Sequence, residues 1–274
     1  VVTVHDSWYY TGRCAIRGQC EEWRDGCPKC PHLDYYPNAM IDIAKTEHKN
    51  KTNLIRGLKY LTFASPSDWI AHDLKYTYPK KKIEVIRNGI NITHFKSESI
   101  NTDRSNAVMP RIVFINGDFN QKEKVDYEFL EKLIKLPLEI HFIGSNFPYE
   151  GENIVNHGFV KDKHKLATIL ASSDMMLFFS RIDNFPTVLI EALCAGTHIV
   201  SYESKGAKEV LYSFNPGQDY SIIKKFDEFV DIIENKKLIQ KIRNNKPMLS
   251  ERAKEYYSFD NMYQLYCKLY QNSF

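Results

Sequence analysis

Apolar positions in the first hundred residues come in short runs. Val1-Val2-Thr3-Val4 reads as a strand that stops at His5-Asp6, and a Cys-rich, aromatic loop follows it. From 41 to about 61 the spacing turns helical. Ile43, Leu54, Ile55, Leu58 and Leu61 share one side, and Lys45, His48, Lys49, Lys51, Arg56 and Lys59 surround them. Tyr60-Leu61-Thr62-Phe63-Ala64 reads as a strand and Ser65-Pro66-Ser67 as a helix start, while Ile83-Glu84-Val85-Ile86 is a further strand closing at Asn88-Gly89. The segment 97–110 is polar and reads as a linker.

Beyond 110 the alternation is regular. Strands are expected at 111–116, 138–143, near Val155, at 175–179 and at 198–201, and helices at 127–135, 163–171, 186–195, 207–211 and 226–233. Strands separated by helices of ten or so residues imply a parallel sheet covered on both faces, which binds ligands beyond the carboxyl ends of its strands. In the tail, Phe259, Met262, Tyr263, Tyr266, Leu269 and Tyr270 fall three or four apart, the pattern of an amphipathic helix that docks on something.

Composition narrows the class. Of 274 residues, 43% are apolar and 26% charged, which excludes wholesale disorder. Lys and Arg number 37 against 34 Asp and Glu, a net +3 too near neutral to argue by itself for a nucleic-acid binder, so any basic function must be local. The longest apolar runs, such as Met175-Met176-Leu177-Phe178-Phe179, fall far short of the roughly 20 residues a spanning helix needs. The expectation is a chain in solution or on a membrane surface. Residue 1 is a Val inside a strand-like run, so the chain is expected to begin within a fold.

Four of the six cysteines, Cys14, Cys20, Cys27 and Cys30, are spaced C-x5-C-x6-C-x2-C. That spacing could wrap one tetrahedral zinc ion, and zinc or a reduced thiol cluster is the expectation here, ahead of unrelated buried cysteines. The alternative is two short-loop disulfides, which need an oxidising compartment. Cys194 and Cys267 read as core residues.

The chemistry concentrates after 180. In Ser180-Arg181-Ile182-Asp183-Asn184-Phe185-Pro186-Thr187-Val188-Leu189-Ile190-Glu191 a strand ends, a loop carries Asp183, and Pro186 opens a helix. The amides of Thr187 and Val188 would face an anion there. One reading is a sugar-nucleotide site, with amides on the diphosphate and Asp183 and Glu191 accepting from hydroxyls. The plainer reading is that Asp183 caps the helix and Glu191 sits on a solvated face.

Asp183-x7-Glu191, continuing to Gly196 and on to Lys205-Gly206-Ala207-Lys208-Glu209, resembles the E-x7-E region of the retaining glycosyltransferases of family 4, which have the two-domain GT-B fold. Asp-Asn-x-Pro in place of the leading Glu is similar to a branch of bacterial polysaccharide enzymes that includes colanic-acid transferases. The same branch is matched by His5-Asp6-Ser7-Trp8-Tyr9-Tyr10-Thr11-Gly12-Arg13-Cys14, by the Cys-x-x-Cys-Pro ending at Pro31, by Ser65-Pro66-Ser67-Asp68-Trp69 and by Val85-Ile86-Arg87-Asn88-Gly89-Ile90-Asn91. The resemblance covers nearly the whole chain.

The resemblance implies an α/β chain of GT-B type: a partial N-terminal, acceptor-side domain over 1–108, a complete donor-nucleotide domain over 109–248, and a helix over 249–274 that crosses back. It implies transfer from a UDP- or GDP-linked sugar, with retention of anomeric configuration and no obligatory metal, to a saccharide or lipid-linked saccharide in surface-polysaccharide synthesis. Asp183 would bind donor-sugar hydroxyls, Glu191 the ribose, and the Thr187 and Val188 amides the diphosphate. Lys124 stands where the family has a phosphate-binding lysine, with Val125 replacing the following Gly and Lys122 a local substitute. Phe159 and Val160 would lie along the base, Gly206 would let the backbone approach the donor, and His5 would stand near the donor sugar. Family members begin about a hundred residues earlier, so the chain is expected to be a shortened chain, a natural fragment or half of a split enzyme whose partner supplies the N-terminal half. As given it is expected to bind the nucleotide without efficient transfer.

The basic segments 45–59 and 80–82 suggest attachment to an anionic membrane surface, at the inner face of the cytoplasmic membrane, in an otherwise cytoplasmic protein. Two rivals remain. A non-enzymatic zinc-binding interaction module would leave the alternation after 110 unexplained, and a GT-B sugar-nucleotide epimerase would lack the Asp183-x7-Glu191 pattern.

Overall fold

In the computed structural model, which describes residues 1–34, 37–95, 107–121 and 124–272, every strand pair is parallel. The chain divides into two units. One holds Val1–Asn88, Ile182–Phe185 and the chain from Met262 onward; the other holds Gly89–Arg181 and Pro186–Asn261. Most of the linker expected at 97–110, and Lys122, lie outside the described residues.

The first unit contains β1 (Val2–Thr3), α1 (Ala44–Gly57), β2 (Thr62–Ser65), α2 (Asp68–Thr77) and β3 (Lys82–Val85), with the sheet ordered β1-β2-β3. Its core is aromatic: Phe63 of the central strand is buried with Tyr10, Trp23, Ile70, Leu74 and Tyr78. Helix α1 is shorter than the periodicity predicts. The Asp42 carboxylate accepts from the Ala44 and Cys30 amides at 3.1 and 2.8 Å and fixes the entry, and Leu58 is already extended at the exit. Ser67 caps α2, accepting from the Ile70 amide at 3.4 Å.

The Cys-rich loop is organised by two buried cations. Arg17 donates to Asp73 (Nε to Oδ2, 2.9 Å), to the Cys20 carbonyl (3.0 Å) and to Glu21 (3.0 Å), with its guanidinium over the Trp23 and Trp69 rings. Lys51 points its ammonium at the carbonyls of Trp8, Thr11 and Gly12. Burial pulls its pKa down to about 8, and three carbonyl acceptors meet the three ammonium donors. A side chain on Gly12 would place its Cβ 2.5 Å from the Ala44 carbonyl oxygen, so the loop touches α1 backbone to backbone.

The structure gives the zinc expectation no support. Among the described residues no group of three or more His, Cys, Asp and Glu side chains is arranged to hold a metal, and all six cysteines are free of disulfides. Cys27 Sγ instead accepts from the Gly12 amide at 3.2 Å, and the Arg13 guanidinium lies 4.0 Å from Cys30 Sγ. Burial raises the Cys14 and Cys20 thiols and pushes Cys27 up to about 11. Cys194 is buried as expected, whereas Cys267 is half-exposed.

The second unit runs β4 (Arg111–Asp118), α3 (Tyr127–Leu133), β5 (Glu139–Ser145), β6 (Ile154–Asn156), α4 (Lys163–Ser172), β7 (Met175–Phe178), α5 (Thr187–Cys194), β8 (His198–Tyr202), α6 (Lys205–Leu211), β9 (Tyr220–Ile223), α7 (Phe226–Glu234) and α8 (Lys236–Tyr256). The sheet order is β6-β5-β4-β7-β8-β9. Winding goes one way from β4 and the other way from β7, the doubly wound Rossmann arrangement. Phe114, Phe119, Phe129, Phe142, Phe179 and Phe229 form its core.

Strand β9 was not expected, and α8 was expected only from 249 onward, as part of one helix over 249–274 that breaks between Tyr256 and Phe259. The buried face of α8 is periodic at Ile239, Ile242, Lys246, Leu249 and Ala253, but Lys246 interrupts the apolar stripe and Pro247 follows it. Lys246 is satisfied only by folding: its ammonium donates to the Ala171 and Ser173 carbonyls at 2.6 Å each, at the C-terminal end of α4. Arg243 of the same helix pairs with the buried Asp174 at 3.0 and 3.1 Å. Gly196 (φ 74°) closes α5, and a Cβ there would fall 2.5 Å from the Lys246 carbonyl oxygen.

His198 makes the stability of this unit depend on pH. Its Nδ1 bonds to the Gln218 carbonyl (3.2 Å) and its Nε2 to Ser221 Oγ (3.0 Å), an arrangement that suits the neutral ring, and burial lowers its pKa to about 4. The full stability is therefore present above the ordinary 6.5 and is lost as pH falls toward 4, by about 3 kcal/mol. Urea unfolding between pH 7 and 4 should show this loss, and His198→Gln should reduce it; an equal pH dependence in the variant would refute the assignment.

Helix α9 (Phe259–Gln271) closes the described chain. Met262, Tyr266 and Leu269 pack with Ala64 and Ile86 in the first unit, and Tyr266 OH lies 2.9 Å from Thr3 Oγ1. Phe259, Tyr263 and Tyr270, expected on the docked face, are exposed. The docked row is the narrower i, i+4, i+7 set.

Candidate functional site

In a doubly wound sheet the crevice for a ligand opens where the winding reverses, beyond the carboxyl ends of the two strands concerned. Here those strands are β4 and β7. The loop leaving β4 carries Lys124, and the segment leaving β7 leads into α5. The loop after β6, which carries Phe159, and the start of α6 after β8, which carries Gly206, lie on the same edge of the sheet.

The loops are tied to each other. Asp118 Oδ1 accepts from the Asn120 amide at 2.9 Å and from Asn146 Nδ2 at 3.0 Å, which holds this carboxyl below its usual range. The Phe119 amide reaches the Ser145 carbonyl at 3.0 Å. Asp126 caps α3 through the Phe129 amide (3.0 Å) and accepts from Tyr202 OH at 2.6 Å, while the Arg181 guanidinium lies over the Tyr202 ring. The ends of β4, β5 and β8 are thus cross-braced before any ligand arrives.

Helix α5 starts at Thr187 after Pro186, which has no side-chain acceptor to offer the first turn. Thr187 is exposed and Val188 half-buried, so their amides stand at an accessible helix N-terminus. One turn on, Glu191 is held by Lys163 at 2.6 Å. The Glu191 side chain is 13% exposed and Lys163 53%, so the lysine reaches in from solvent to a largely buried carboxylate. Lys163 opens α4, whose own cap is Asp162, accepting from His164 and Lys165 amides. Ser180 Oγ, just beyond β7, is buried without a partner among the described residues. A donor atom so placed is an anchor a ligand or water can use.

Other expected residues divide by position. Lys124 is half-buried, its amide bonded to the Gln121 carbonyl, and the neighbouring Val125 is in the core, which accounts for a branched side chain where a Gly was expected. Phe159 is 61% exposed, one residue after Gly158, and Val160 is half-buried. Gly206 is buried in the first turn of α6, where Ser204 caps the helix through the Ala207 amide, rather than in a turn.

His5 and Asp183 fall in the first unit. The His5 side chain is exposed, and its carbonyl accepts from Asn184 Nδ2 at 3.0 Å; the Asn184 carbonyl in turn accepts from Trp69 Nε1 at 3.0 Å. Asn184 Oδ1 is buried and without a partner among the described residues. Asn184 thus ties the segment carrying Asp183 to His5 and to the Trp of Ser65-Pro66-Ser67-Asp68-Trp69. Neither Asn184 nor Lys163 was singled out as a site residue. Both act on partners remote in the chain, 179 and 28 residues away, and only the Asn of the Asp-Asn-x-Pro motif offered a local signal.

Residues 150–249 match the family described as glycosyl transferases group 1. Over 99% of its length the chain is 32% identical to a protein of Escherichia coli (strain K12) assigned to colanic acid biosynthesis as glycosyl transferase WcaC, and it covers 68% of that protein. Among solved structures, Anabaena Alr3699/HepE in complex with UDP superposes with a TM-score of 0.64 at 16% identity, over 84% of this chain and 69% of that one. The sucrose-phosphate synthase of Thermosynechococcus elongatus gives 0.63 at 15% identity, over 85% and 64%. The chain thus spans about two thirds of the length of these relatives, and its fold is of GT-B type.

Proposed function

We propose, since this chain belongs to the group 1 glycosyl transferases, that it takes part in transferring a sugar from a nucleotide-diphosphate donor to a saccharide or lipid-linked saccharide, with retention of anomeric configuration, in the assembly of a bacterial surface polysaccharide. The observation that carries this reading is the α5 edge of the switch-point sheet: a helix that opens at Thr187 and Val188 behind Pro186, followed by Glu191 held by Lys163.

The chemistry asks for such an edge. Breaking the bond between the anomeric carbon and the phosphate oxygen leaves growing negative charge on the diphosphate, and groups already oriented toward that charge lower the barrier most. The Thr187 and Val188 amides with Lys124 and Lys122 would meet that charge. Glu191 takes the ribose hydroxyls, Phe159 and Val160 flank the base, and Gly206 leaves room beside the donor. The Escherichia coli relative favours polysaccharide assembly as the context, and the UDP complex of the Anabaena protein favours uridine as the base.

Calorimetric titration of UDP and of GDP into the 274-residue chain tests the donor site. Saturable heat at one site per chain is expected, larger for UDP. A folded sample that gives no heat with either nucleotide would sink the proposal.

A further inference from the structure

Two imidazoles of the second unit, 70 residues apart in the chain, face each other at its surface, and the donor site uses neither. His94 ends the short turn Ile92–His94, and His164 is the second residue of α4. His94 Nδ1 and His164 Nε2 lie 3.2 Å apart, with the rings crossed at 85° and their centroids 4.6 Å apart.

Each backbone is fixed independently of this contact. Asn91 accepts from the Thr93 amide at 3.1 Å, and Phe95, the residue after His94, is buried. Asp162 Oδ1 accepts from the His164 amide at 2.8 Å and from the Lys165 amide at 3.3 Å. The fold therefore brings the two rings together. A hydrogen bond between neutral imidazoles that water can reach replaces bonds each ring makes with solvent, so it gains little by itself.

The spacing suits a metal ion. Two imidazole nitrogens at about 2.0–2.1 Å from one tetrahedral ion stand about 3.3–3.4 Å apart, so a small rotation of each ring turns both lone pairs to a common point. A negative charge stands close by: the Lys165 and His164 amides hold the Asp162 carboxyl below its ordinary range, and both imidazoles add to that shift.

We propose that His94 Nδ1 and His164 Nε2 bind a divalent transition-metal ion of the zinc, nickel and copper group, with water in the remaining positions. Imidazole suits these ions, whereas magnesium, calcium and manganese favour oxygen ligands. Among the described residues no third His, Cys, Asp or Glu completes a ligand set, so the site is of the open kind. A bound ion ties the 92–94 turn to the first turn of α4, beside Lys163, whose ammonium holds Glu191. The proposal does not depend on the nucleotide reading, and nucleotide titration does not bear on it.

Calorimetric titration of nickel chloride into the 274-residue chain, carrying no histidine tag, tests it. One ion is expected to bind through this pair, and His94→Ala and His164→Ala are each expected to weaken that binding at least about tenfold, because the second imidazole acts at a high effective concentration. Saturating nickel should raise the thermal unfolding midpoint of the unaltered chain more than that of either variant. His164 is exposed and His94 half-buried, so circular dichroism should report an unchanged fold in both. The double variant C27S/C30S, which removes two thiols of the Cys-rich loop, should keep the binding. No nickel bound by the unaltered chain, undiminished binding in either histidine variant, or binding lost in C27S/C30S would overturn the proposal.

Discussion

Glu191→Ala is expected to weaken UDP binding by about thirty- to a hundredfold, read by titration calorimetry at pH 7. A ribose hydroxyl bonded to a carboxylate is worth about 1.5–3 kcal/mol, and alanine removes that acceptor outright. Lys163 is half in solvent, so losing its partner exposes a cation that water can satisfy, and the unfolding midpoint should hardly move. Lys163→Met makes the complementary case. Glu191 stays but loses the group that aims it, so affinity should fall by a smaller factor, about three- to tenfold. UDP binding by Glu191→Ala at the affinity of the unaltered chain would show that the carboxylate faces something other than the nucleotide.

Arg17→Met should destabilise the first unit by about 3–5 kcal/mol, the cost of leaving a buried carboxylate without its cation. The Arg17 and Asp73 side chains are 1% and 4% exposed and meet at 2.7 Å, so water cannot replace the guanidinium. The same side chain holds the Cys20 carbonyl and Glu21, and its loss should loosen the whole Cys-rich loop. Denaturant unfolding of the variant measures the cost. Adding Asp73→Asn should recover part of it, because the stranded charge is then gone. A loss below about 1 kcal/mol would mean that the loop is held some other way.

The alternation of strands and helices after 110 was legible because both periods are written in apolar positions, 2 or a continuous run for buried strands and 3.6 for helices. The part of helix α8 before 249 escaped because its stripe passes through Lys246, a residue that reads as solvent-facing until its carbonyl partners at Ala171 and Ser173 are known. The spacing of Cys14, Cys20, Cys27 and Cys30 left zinc, a reduced thiol cluster and disulfides open. The six cysteines are free of disulfides, no group among the described residues is arranged to hold a metal, and Arg17 and Lys51 hold the loop through carbonyls and carboxylates that spacing does not reveal. Helix α9 was expected to dock through two adjoining rows, and it uses one.

By itself the sequence determined the class of the fold, the positions of Asp183, Glu191, Thr187 and Val188 along the chain, and the family, since each of these is carried by local period or by residues in a fixed order. Tertiary structure decided the strand order with its reversal between β4 and β7, the hold of Lys163 on Glu191, and the tie from Asn184 to His5. These depend on which distant segments pack together. Such pairings are set by the burial and hydrogen-bonding of the whole chain, and a local pattern carries no record of them.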